Sequence, residues 1–504
     1  MPGKSSRQDI TLLAGLFTVS ALIYGRTLSN YLVADDWVLL EPRSFISTAG
    51  YFLHSVIPEE WEALWLRPLP MFTFWLDNLL WPGSTRGPHL FNVVLHLVNI
   101  ALVGIAIRSM TARKNSGAVP DTCFFPVFAG CLVFALHPLG VGSVAWIAAR
   151  FDILSVTFGL GAFIVWIRWH TGDGGNGTLA LCLTLLAASL FSKEQGIVFL
   201  AAITLSAFYT AYTNPQNRRR NLTPAISIAI ITILYFAYRI TIFHGIGGYL
   251  FARRALNFLI PLDYFLAILY PWGNIAPEWR GTMFLFAAIM LFVVMTIILY
   301  TTPFRKCQKP DTIHGIAAVL LCFFGLLTTA PNSTMRMRDI LGHSESRFVL
   351  ISLAGLAMGI GYLFAAHIRT IKARRIAVIV LGIWGITALW RIDVQIAAWH
   401  AAGETARGIV ETTRREAPEP APGSAFYYLD IPGFSDQFAY IFGIGLEEAI
   451  TRQYPGRDDI MVHRNPPQDE FLKARPDVDH VFRFDSDRGI LEPLYPQLRE
   501  GEPE

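Results

Sequence analysis

The sequence predicts an α-helical polytopic membrane protein that carries a small α/β soluble domain at its C-terminal end. Of its 504 residues, 53% are hydrophobic and only 16% are charged, whereas about 25% are charged in an average globular domain. Apolar runs long enough to cross a bilayer recur along most of the chain, and each crossing needs roughly 20 such residues. The net charge of +3 is too small to indicate a nucleic-acid partner.

Hydropathy and the distribution of Lys and Arg predict about eleven transmembrane helices. Lys4 and Arg7 precede the first apolar run, which predicts a cytoplasmic N-terminus and a first span that is retained rather than cleaved. The stretch 255–271 is expected to be interfacial or re-entrant, because a crossing there would place the basic loop 305–309 outside. The predicted spans are 10–28, 89–110, 123–136, 153–169, the two runs flanking 192–195, 225–243, 284–300, 313–327, 348–366 and 376–390.

The first external loop, residues 29–87, is expected on the periplasmic side and has its own apolar pattern. Its large apolar side chains recur mostly at intervals of three or four residues, which is typical of an amphipathic helix lying on the membrane surface. These side chains are Trp61, Trp65, Leu66, Leu69, Phe72, Trp75 and Leu79.

The composition changes near residue 393, which predicts a transmembrane domain over 1–392 and a periplasmic α/β domain over 393–504. Strand and helix signals mixed within a segment this short indicate a small α/β fold. The signals are a proline-rich linker at Pro418, Pro420 and Pro422, strand-like runs at 426–429, 460–463 and 481–484, and a helical pattern over 438–452.

Two adjacent carboxylates, Asp35 and Asp36, follow the first span directly. Charged side chains at that depth are costly unless they face a cavity, have a partner or do chemistry. The functional interpretation is a general base that removes a proton from an acceptor hydroxyl, helped because neighbouring carboxylates raise each other's pKa. The second acid could hold a divalent cation through its oxygens. The simpler interpretations are a helix N-cap and a solvated loop.

Several Lys and Arg residues fall on the external side of the predicted topology, where short loops are usually poor in both. Arg binds phosphate through two parallel hydrogen bonds, and Lys binds it as a point charge. The set therefore favours a membrane-anchored phosphate as ligand, although pairing with nearby acids or with lipid headgroups would also explain single members. These residues are Arg67, Arg150, Lys193, Arg280, Arg336, Arg338 and Arg347.

Four polar residues share one narrow face of the second span, namely His89, Asn92, His96 and Asn99. Polar side chains on a helix embedded in lipid must face protein or water. They therefore either join neighbouring helices by hydrogen bonds or, at the outer end formed by His89, line a cavity.

In their order and spacing, the motifs of this chain resemble the GT-C type of integral-membrane glycosyltransferase. They are similar to those of the bacterial relatives of the transmembrane-and-tetratricopeptide O-mannosyltransferases. Two features differ: Gly140 and Gly142 stand where such relatives usually have His or Gln and then Glu, and the tail lacks tetratricopeptide repeats. The motifs are Asn30-Tyr31 with Asp35-Asp36, Arg67-Pro68-Leu69, His89-Leu90-Phe91-Asn92, His137-Pro138, Arg150-Phe151-Asp152, Ser192-Lys193-Glu194 and Glu345-Ser346-Arg347.

The resemblance implies that a sugar is transferred from a polyprenyl-phosphate donor to a glycan or protein acceptor, at the periplasmic face of a bacterial inner membrane. It also implies that the acidic pair holds the catalytic residue, with Asp36 and Asp35 as candidates, and that the anomeric configuration is inverted. The other motif residues would bind substrate: Arg67, His89, His137, Arg150, Asp152, Lys193, Glu194, Glu345 and Arg347.

Two other functions are left open. A transporter or flippase of polyprenyl-linked saccharides would have broken helices near the membrane midplane and internal pseudo-symmetry. No internal repeat is visible, and the polar clusters lie at one face. A non-catalytic scaffold would tolerate replacement of both Asp35 and Asp36.

Overall fold

The residues that the structure describes are almost entirely helical up to residue 416 and form a small sheet after it. The computed structural model describes residues 4–56, 64–111, 124–172, 174–245, 259–269, 312–330, 345–368, 370–435, 439–467, 474–475 and 478–494. Several predicted features lie outside these ranges: the span 284–300, the basic loop 305–309, Trp61, Arg280, Arg336 and Arg338.

Apolar runs in lipid adopt helices because a helix satisfies its own backbone hydrogen bonds. The helices are α1 Lys4–Gly25, α2 Asp36–Leu39, α3 Phe45–Gly50, α4 Pro68–Leu80, α5 Arg86–Thr111, α6 Phe124–Leu136, α7 Val141–Ala145, α8 Arg150–Thr171, α9 Asn176–Ser192, α10 Ile197–Thr213, α11 Arg218–Phe243, α12 Leu259–Leu269, α13 Thr312–Leu327, α14 Leu350–His367, α15 Ile371–Glu416 and α16 Leu446–Thr451.

The multi-pass membrane architecture predicted from hydropathy is confirmed. Within the described ranges, seven helices are long and apolar enough to cross a bilayer, and α6 with the segment Pro138–Ala145, bent by 56°, would make an eighth. The 17-residue α9, the 16-residue α13 and the 11-residue α12 are shorter than the roughly 20 residues that a crossing needs. The predicted count of eleven is therefore not reached in these ranges and stays a prediction.

Helix α8 lies at the centre of the bundle, packed between α5 and α9, while α14 packs against α6 and α13. The polar stripe of α5 holds part of this arrangement together. The Asn92 side chain donates to the Trp146 carbonyl at 3.0 Å, and the Asn99 side chain donates to the Ile153 carbonyl of α8 at 3.2 Å. Two of the four polar residues thus form the interhelical hydrogen bonds expected of the simpler interpretation.

The helix predicted in the first loop begins at Pro68, where the fixed φ of proline suits the first helical position. Met71, Phe74 and Asp77 face the protein interior and are buried. Within the helix, Leu69, Phe72 and Trp75 of the predicted apolar stripe are partly exposed and Leu79 is 62% exposed. This helix therefore presents an apolar surface away from the bundle. The first part of the predicted stripe is wrong, because Trp65 and Leu66 precede the helix and Leu66 is buried.

The C-terminal sheet has the strand order β2-β1-β3-β4. Strand β1 is parallel to β2 and β3, and β4 is antiparallel to β3. The helix predicted over 438–452 is wrong in its first half, because only Leu446–Thr451 is helical and Gly445, with φ of +81°, interrupts the chain before it. Helix α15 continues without a break across the predicted boundary between residues 392 and 393. The strands are β1 Ala425–Leu429, β2 Met461–Arg464, β3 His480–Asp485 and β4 Ile490–Pro493.

Candidate active site

The acidic pair lies in a tight turn between α1 and α2, and Asp36 holds that turn in place. Its side chain is fully buried, with one carboxylate oxygen 3.2 Å from the Val33 N–H and the other 2.9 Å from the Ala148 N–H. Ala34 has a φ of +44°, a region that residues with a side chain rarely adopt. Asp36 therefore connects the first loop to the segment before α8 and stabilises a strained turn.

The environment of the Asp35 side chain differs from that of Asp36. It is partly exposed, forms no cap for α2, and receives no hydrogen bond to its carboxylate from any residue that the structure describes. Burial raises the pKa of Asp35 to about 6, and the charges of Arg347 and Arg67 oppose that rise. Burial raises the pKa of Asp36 well above its usual value. Of the two carboxyl groups, Asp35 is the one positioned to accept a proton.

Arg67 stands at the start of α4 and forms a two-pronged ion pair with Glu194. Its Nε donates to one carboxylate oxygen at 3.0 Å, and its Nη2 donates to the other. The guanidinium group also lies 4.2 Å from the centre of the Trp65 ring. Because Arg67 is only 2% exposed, this pair fixes a desolvated cation at the end of the bundle that carries the acidic turn.

Lys193 and Arg347 lie against the same aromatic ring. The Lys193 ammonium is 4.5 Å and the Arg347 guanidinium 4.7 Å from the centre of the Phe348 ring. Lys193 also donates to a carboxylate oxygen of Asp152, and Arg347 lies 3.8 Å from a carboxylate oxygen of Glu345. The charges of Arg347 and Arg67 thus act on Asp35, and Lys193 shares the Phe348 ring with Arg347.

The sequence predicts Arg150 as a phosphate ligand together with these cations, but its guanidinium group is bound on every side by the protein. It is fully buried and donates to the Asn92 side chain at 2.8 Å, to Asp77 at 2.5 Å, to Thr73 at 3.3 Å and to the Pro88 carbonyl at 2.9 Å. These contacts join α4, α5 and α8. The donors that would bind a phosphate are therefore occupied.

The two predicted histidines differ in position. His137 accepts from the Leu139 N–H through Nδ1 and lies 3.1 Å from the Ile268 carbonyl through Nε2, so it caps the short helix that begins at Pro138. The carbonyl contact makes Nε2 the protonated nitrogen. His89 is buried beside Arg150 and the backbone of Asn30. Neither contact set includes the acids or cations that surround Asp35.

Arg239, on α11, is a buried charged residue near Glu194 that was not predicted from the sequence. Its side chain is 1% exposed, and it donates to the Tyr235 hydroxyl at 2.9 Å and to the Leu64 carbonyl at 3.4 Å. Its charge also acts on Glu194, the partner of Arg67. The signal that could have identified it is a single Arg inside an apolar run, which is costly unless it has a function or a partner.

The C-terminal domain packs directly on the acidic turn. The Ile441 carbonyl accepts from the Ala34 N–H at 2.8 Å, and Arg452 donates to the Trp37 carbonyl at 2.5 Å. A side chain at Gly445 would meet the Ala34 carbonyl at 2.2 Å, so the two backbones approach as closely as a glycine permits. The sequence gives no local indication of this contact, since more than 400 residues separate Ala34 from Gly445.

In the described part of the chain, no group of three or more His, Cys, Asp or Glu side chains is arranged to hold a metal ion. The carboxylate of Asp36, one of the two acids considered as a cation ligand, is bound to backbone N–H groups.

Comparison with curated proteins finds relatives that are named protein O-mannosyl-transferases. Human TMTC3 is 26% identical over 217 residues, which is 41% of this chain and 22% of that protein. Tmtc1 of Drosophila melanogaster is 27% identical over 209 residues, which is 40% of this chain and 23% of that protein. The chain therefore spans less than a quarter of the length of either relative. No protein-family model matches the chain.

Comparison with solved structures finds ArnT from Cupriavidus metallidurans, crystallised with undecaprenyl phosphate. Its TM-score is 0.50 at 13% sequence identity, over 94% of this chain and 93% of that chain. At this identity the likeness concerns the fold alone. The chain thus has the GT-C glycosyltransferase fold of ArnT, and its sequence is similar to that of the TMTC protein O-mannosyl-transferases.

Proposed function

We propose that this protein is a glycosyltransferase that moves a sugar from a polyprenyl-phosphate donor to a hydroxyl group of a glycan or protein acceptor. The observation that carries the proposal is the position of Asp35, a partly exposed carboxylate on which the charges of the buried Arg67 and Arg347 act. Lys193 lies against the same Phe348 ring as Arg347. The undecaprenyl phosphate bound to ArnT and the names of the TMTC relatives support the same donor and reaction class.

In the proposed mechanism, Asp35 removes the proton from the acceptor hydroxyl. The acceptor oxygen then attacks the anomeric carbon on the face opposite the phosphate. The bond between that carbon and the phosphate oxygen breaks, the lipid phosphate leaves as an anion, and the configuration inverts. Arg67, Lys193 and Arg347 stabilise the charge that develops on the phosphate, because preorganised cations in a desolvated site need no reorganisation during the reaction.

The carboxylates beside these cations have a supporting role in this proposal. Glu194 and Asp152 hold Arg67 and Lys193 in fixed positions, which preorganises them for a phosphate. The buried Arg239 adds a further positive charge near Glu194. Arg150, whose three nitrogens all donate to the protein, is assigned to holding α4 on α5 and α8 rather than to binding phosphate.

We place this site at the periplasmic face of a bacterial inner membrane, with a cytoplasmic N-terminus. The positions of the charged residues support a site at one face of the membrane, because these residues stand at helix ends. Arg67 precedes α4, Asp152 lies in the first turn of α8, and Lys193 follows α9. A transporter would instead have its polar groups near the membrane midplane. The location at one end therefore favours the transferase over the flippase.

The test is transfer in vitro from a panel of undecaprenyl-phosphate sugars to glycan and peptide acceptors, with the full chain in lipid nanodiscs. We expect the wild type to release undecaprenyl phosphate and form a glycoside with at least one donor. Asp35→Asn should form that product about 10²–10⁴ times more slowly while still binding undecaprenyl phosphate. Transfer at the wild-type rate by Asp35→Asn, or failure of the wild type to bind undecaprenyl phosphate, would show that the proposal is wrong.

A further inference from the structure

Four side chains form a cluster next to the cations, and one of them comes from the C-terminal domain. Arg347 lies 4.3 Å above the Trp146 ring, and the Tyr440 ring lies 4.7 Å from the Trp146 ring. The Tyr440 hydroxyl donates to the Oε1 atom of Glu345. Tyr440 belongs to the segment that follows β1, so the cluster joins the C-terminal domain to the membrane bundle.

The cluster leaves two buried polar atoms without a hydrogen bond from any residue that the structure describes. They are the Oε2 of Glu345, which lies 3.8 Å from Nη2 of Arg347 and so beyond hydrogen-bond distance, and the Nε1–H of Trp146. Glu345 is 7% exposed and Trp146 is 2% exposed. A buried polar atom without a hydrogen bond is unfavourable, so an acceptor and a donor left together in one cluster indicate a polar ligand that binds both.

The chemistry of the cluster fits a sugar ring. A carboxylate oxygen accepts from sugar hydroxyls, and an indole N–H donates to them. The sugar bound here would be that of the donor lipid, because Arg347, which we assign to the lipid phosphate, contacts both Trp146 and Glu345. Asp35 lies close enough for Glu345 and Arg347 to act on its charge.

We propose that Glu345 and Trp146 form the subsite for the sugar of the donor lipid, and that Tyr440 of the C-terminal domain is a positioning residue for it. By binding Oε1 of Glu345, the Tyr440 hydroxyl fixes the carboxylate so that Oε2 faces the ligand. The C-terminal domain thereby takes part in the choice of sugar. This inference rests on the proposed function and adds to it the residues that recognise the sugar.

The test compares two kinds of lipid bound to the full chain in nanodiscs. One is undecaprenyl phosphate alone, and the other is undecaprenyl-phosphate mannose or undecaprenyl-phosphate glucose. We expect the wild type to bind at least one sugar-bearing lipid more tightly than the bare lipid phosphate. Glu345→Gln and Trp146→Phe should each weaken binding of that sugar-bearing lipid. For Glu345→Gln, which removes a charged acceptor, we expect a loss of about tenfold in affinity. The affinity of both variants for undecaprenyl phosphate alone should stay within about twofold of the wild type.

Tyr440→Phe should weaken binding of the same sugar-bearing lipid, and it should have no further effect in the Glu345→Gln background because it acts through Glu345. Tyr428→Phe is the matched control, since it removes a buried tyrosine hydroxyl bonded to Thr413 at 2.9 Å in the same domain. It should bind both lipids as the wild type does. Equal loss for both lipids in the three cluster variants, or equal wild-type affinity for all lipids, would overturn the subsite. Failure of the wild type to bind undecaprenyl phosphate at all would instead contradict the proposed function, and the subsite with it.

Discussion

Asp35 and Asp36 are adjacent in the chain, yet the fold gives them different tasks. The carboxylate of Asp36 accepts two backbone N–H groups from the segments that it joins. Asp35 faces Arg347 and Arg67 and is partly exposed. Where two carboxyl groups interact, the one nearer to solvent and cations loses its proton first. We therefore assign the general base to Asp35 and the support of its turn to Asp36.

Replacing the two acids should separate these tasks. Asp35→Asn should lower the rate constant for transfer by about 10²–10⁴, the range for loss of a general base, with an unchanged melting temperature. Asp36→Asn should lower the melting temperature, because an amide cannot accept both N–H groups without presenting its own NH₂ to one of them. Steady-state transfer and thermal unfolding in nanodiscs measure the two effects. A wild-type melting temperature for Asp36→Asn would contradict the supporting role.

The transfer rate should also depend on pH in a defined direction. Burial raises the pKa of Asp35 to about 6, and only the ionised carboxylate can act as a base. The rate constant should therefore be highest above that pKa and fall as the pH decreases through about 6. A pH profile of transfer at saturating donor measures this. The small residual rate of Asp35→Asn is the control and should not show the same acid limb; an unchanged limb in that variant would assign it to another group.

At the scale of the elements, the site depends on how short segments are fixed to long helices. Arg150 connects α4, α5 and α8 through the Asp77 carboxylate, the Asn92 amide and the Pro88 carbonyl. The cation Arg67 stands at the start of the same α4. Arg150 thus helps to set the position of Arg67, which we propose binds the lipid phosphate.

Arg150→Met should lower the free energy of unfolding by about 3–5 kcal/mol, because Asp77 would remain as an unpaired buried charge. The matched control is Arg488→Met, which breaks an exposed pair with Glu492 on β4, with side chains 63% and 44% exposed. Exposed pairs contribute about 0–1 kcal/mol, so this variant should unfold like the wild type. Denaturation in detergent micelles measures both, and equal stability of the two variants would contradict the structural role of Arg150.

The contact between the C-terminal domain and the acidic turn can be tested at two neighbouring glycines. Gly445 has a φ of +81°, and its Cβ would meet the Ala34 carbonyl at 2.2 Å, so Gly445→Ala should displace the turn and reduce transfer. Gly443→Ala should have little effect, because its nearest neighbours are 3.8 Å away. The measurement is transfer rate together with melting temperature. Wild-type transfer by Gly445→Ala would show that the turn keeps its position without this contact.

At the scale of the whole molecule, one end of the bundle collects the first loop, the cation cluster and the C-terminal domain. The chain leaves this end through α10, which begins at Ile197, and returns through α11, which begins at Arg218. The turn between them, with its three arginines 218–220, therefore lies at the opposite end. An excess of Lys and Arg marks the cytoplasmic side of a membrane protein.

Labelling from outside the cell should show this orientation. In a variant without the five native cysteines, Glu41→Cys in the first loop and Asp458→Cys in the C-terminal domain should react with a membrane-impermeant maleimide in cells with a permeable outer membrane. Gln216→Cys should react only after the inner membrane is opened. All three positions are exposed. Labelling of Gln216→Cys before Glu41→Cys would place the site on the cytoplasmic side and contradict the periplasmic assignment.

The sequence alone was sufficient to predict a multi-pass helical membrane fold, because a helix in lipid satisfies its backbone hydrogen bonds within one apolar segment, which hydropathy detects. The acidic pair and the cations Arg67, Lys193 and Arg347 were also predicted, since charges beside apolar runs are rare enough to stand out. The strand β4 and the irregular segment before α16 were not, because short elements at the edge of a sheet depend on their neighbours more than on their own residues.

Only the tertiary structure decided which of these charges could act on a substrate. Arg150 and Lys193 look alike in the sequence, and the difference between them is which partners the packing brings to each guanidinium or ammonium group. Packing also gives Asp35 and Asp36 different partners, and it brings Tyr440 to Glu345 across 95 residues of chain. The type of an element is set by local apolar periodicity, whereas the role of a charged side chain is set by contacts between segments that are distant in sequence.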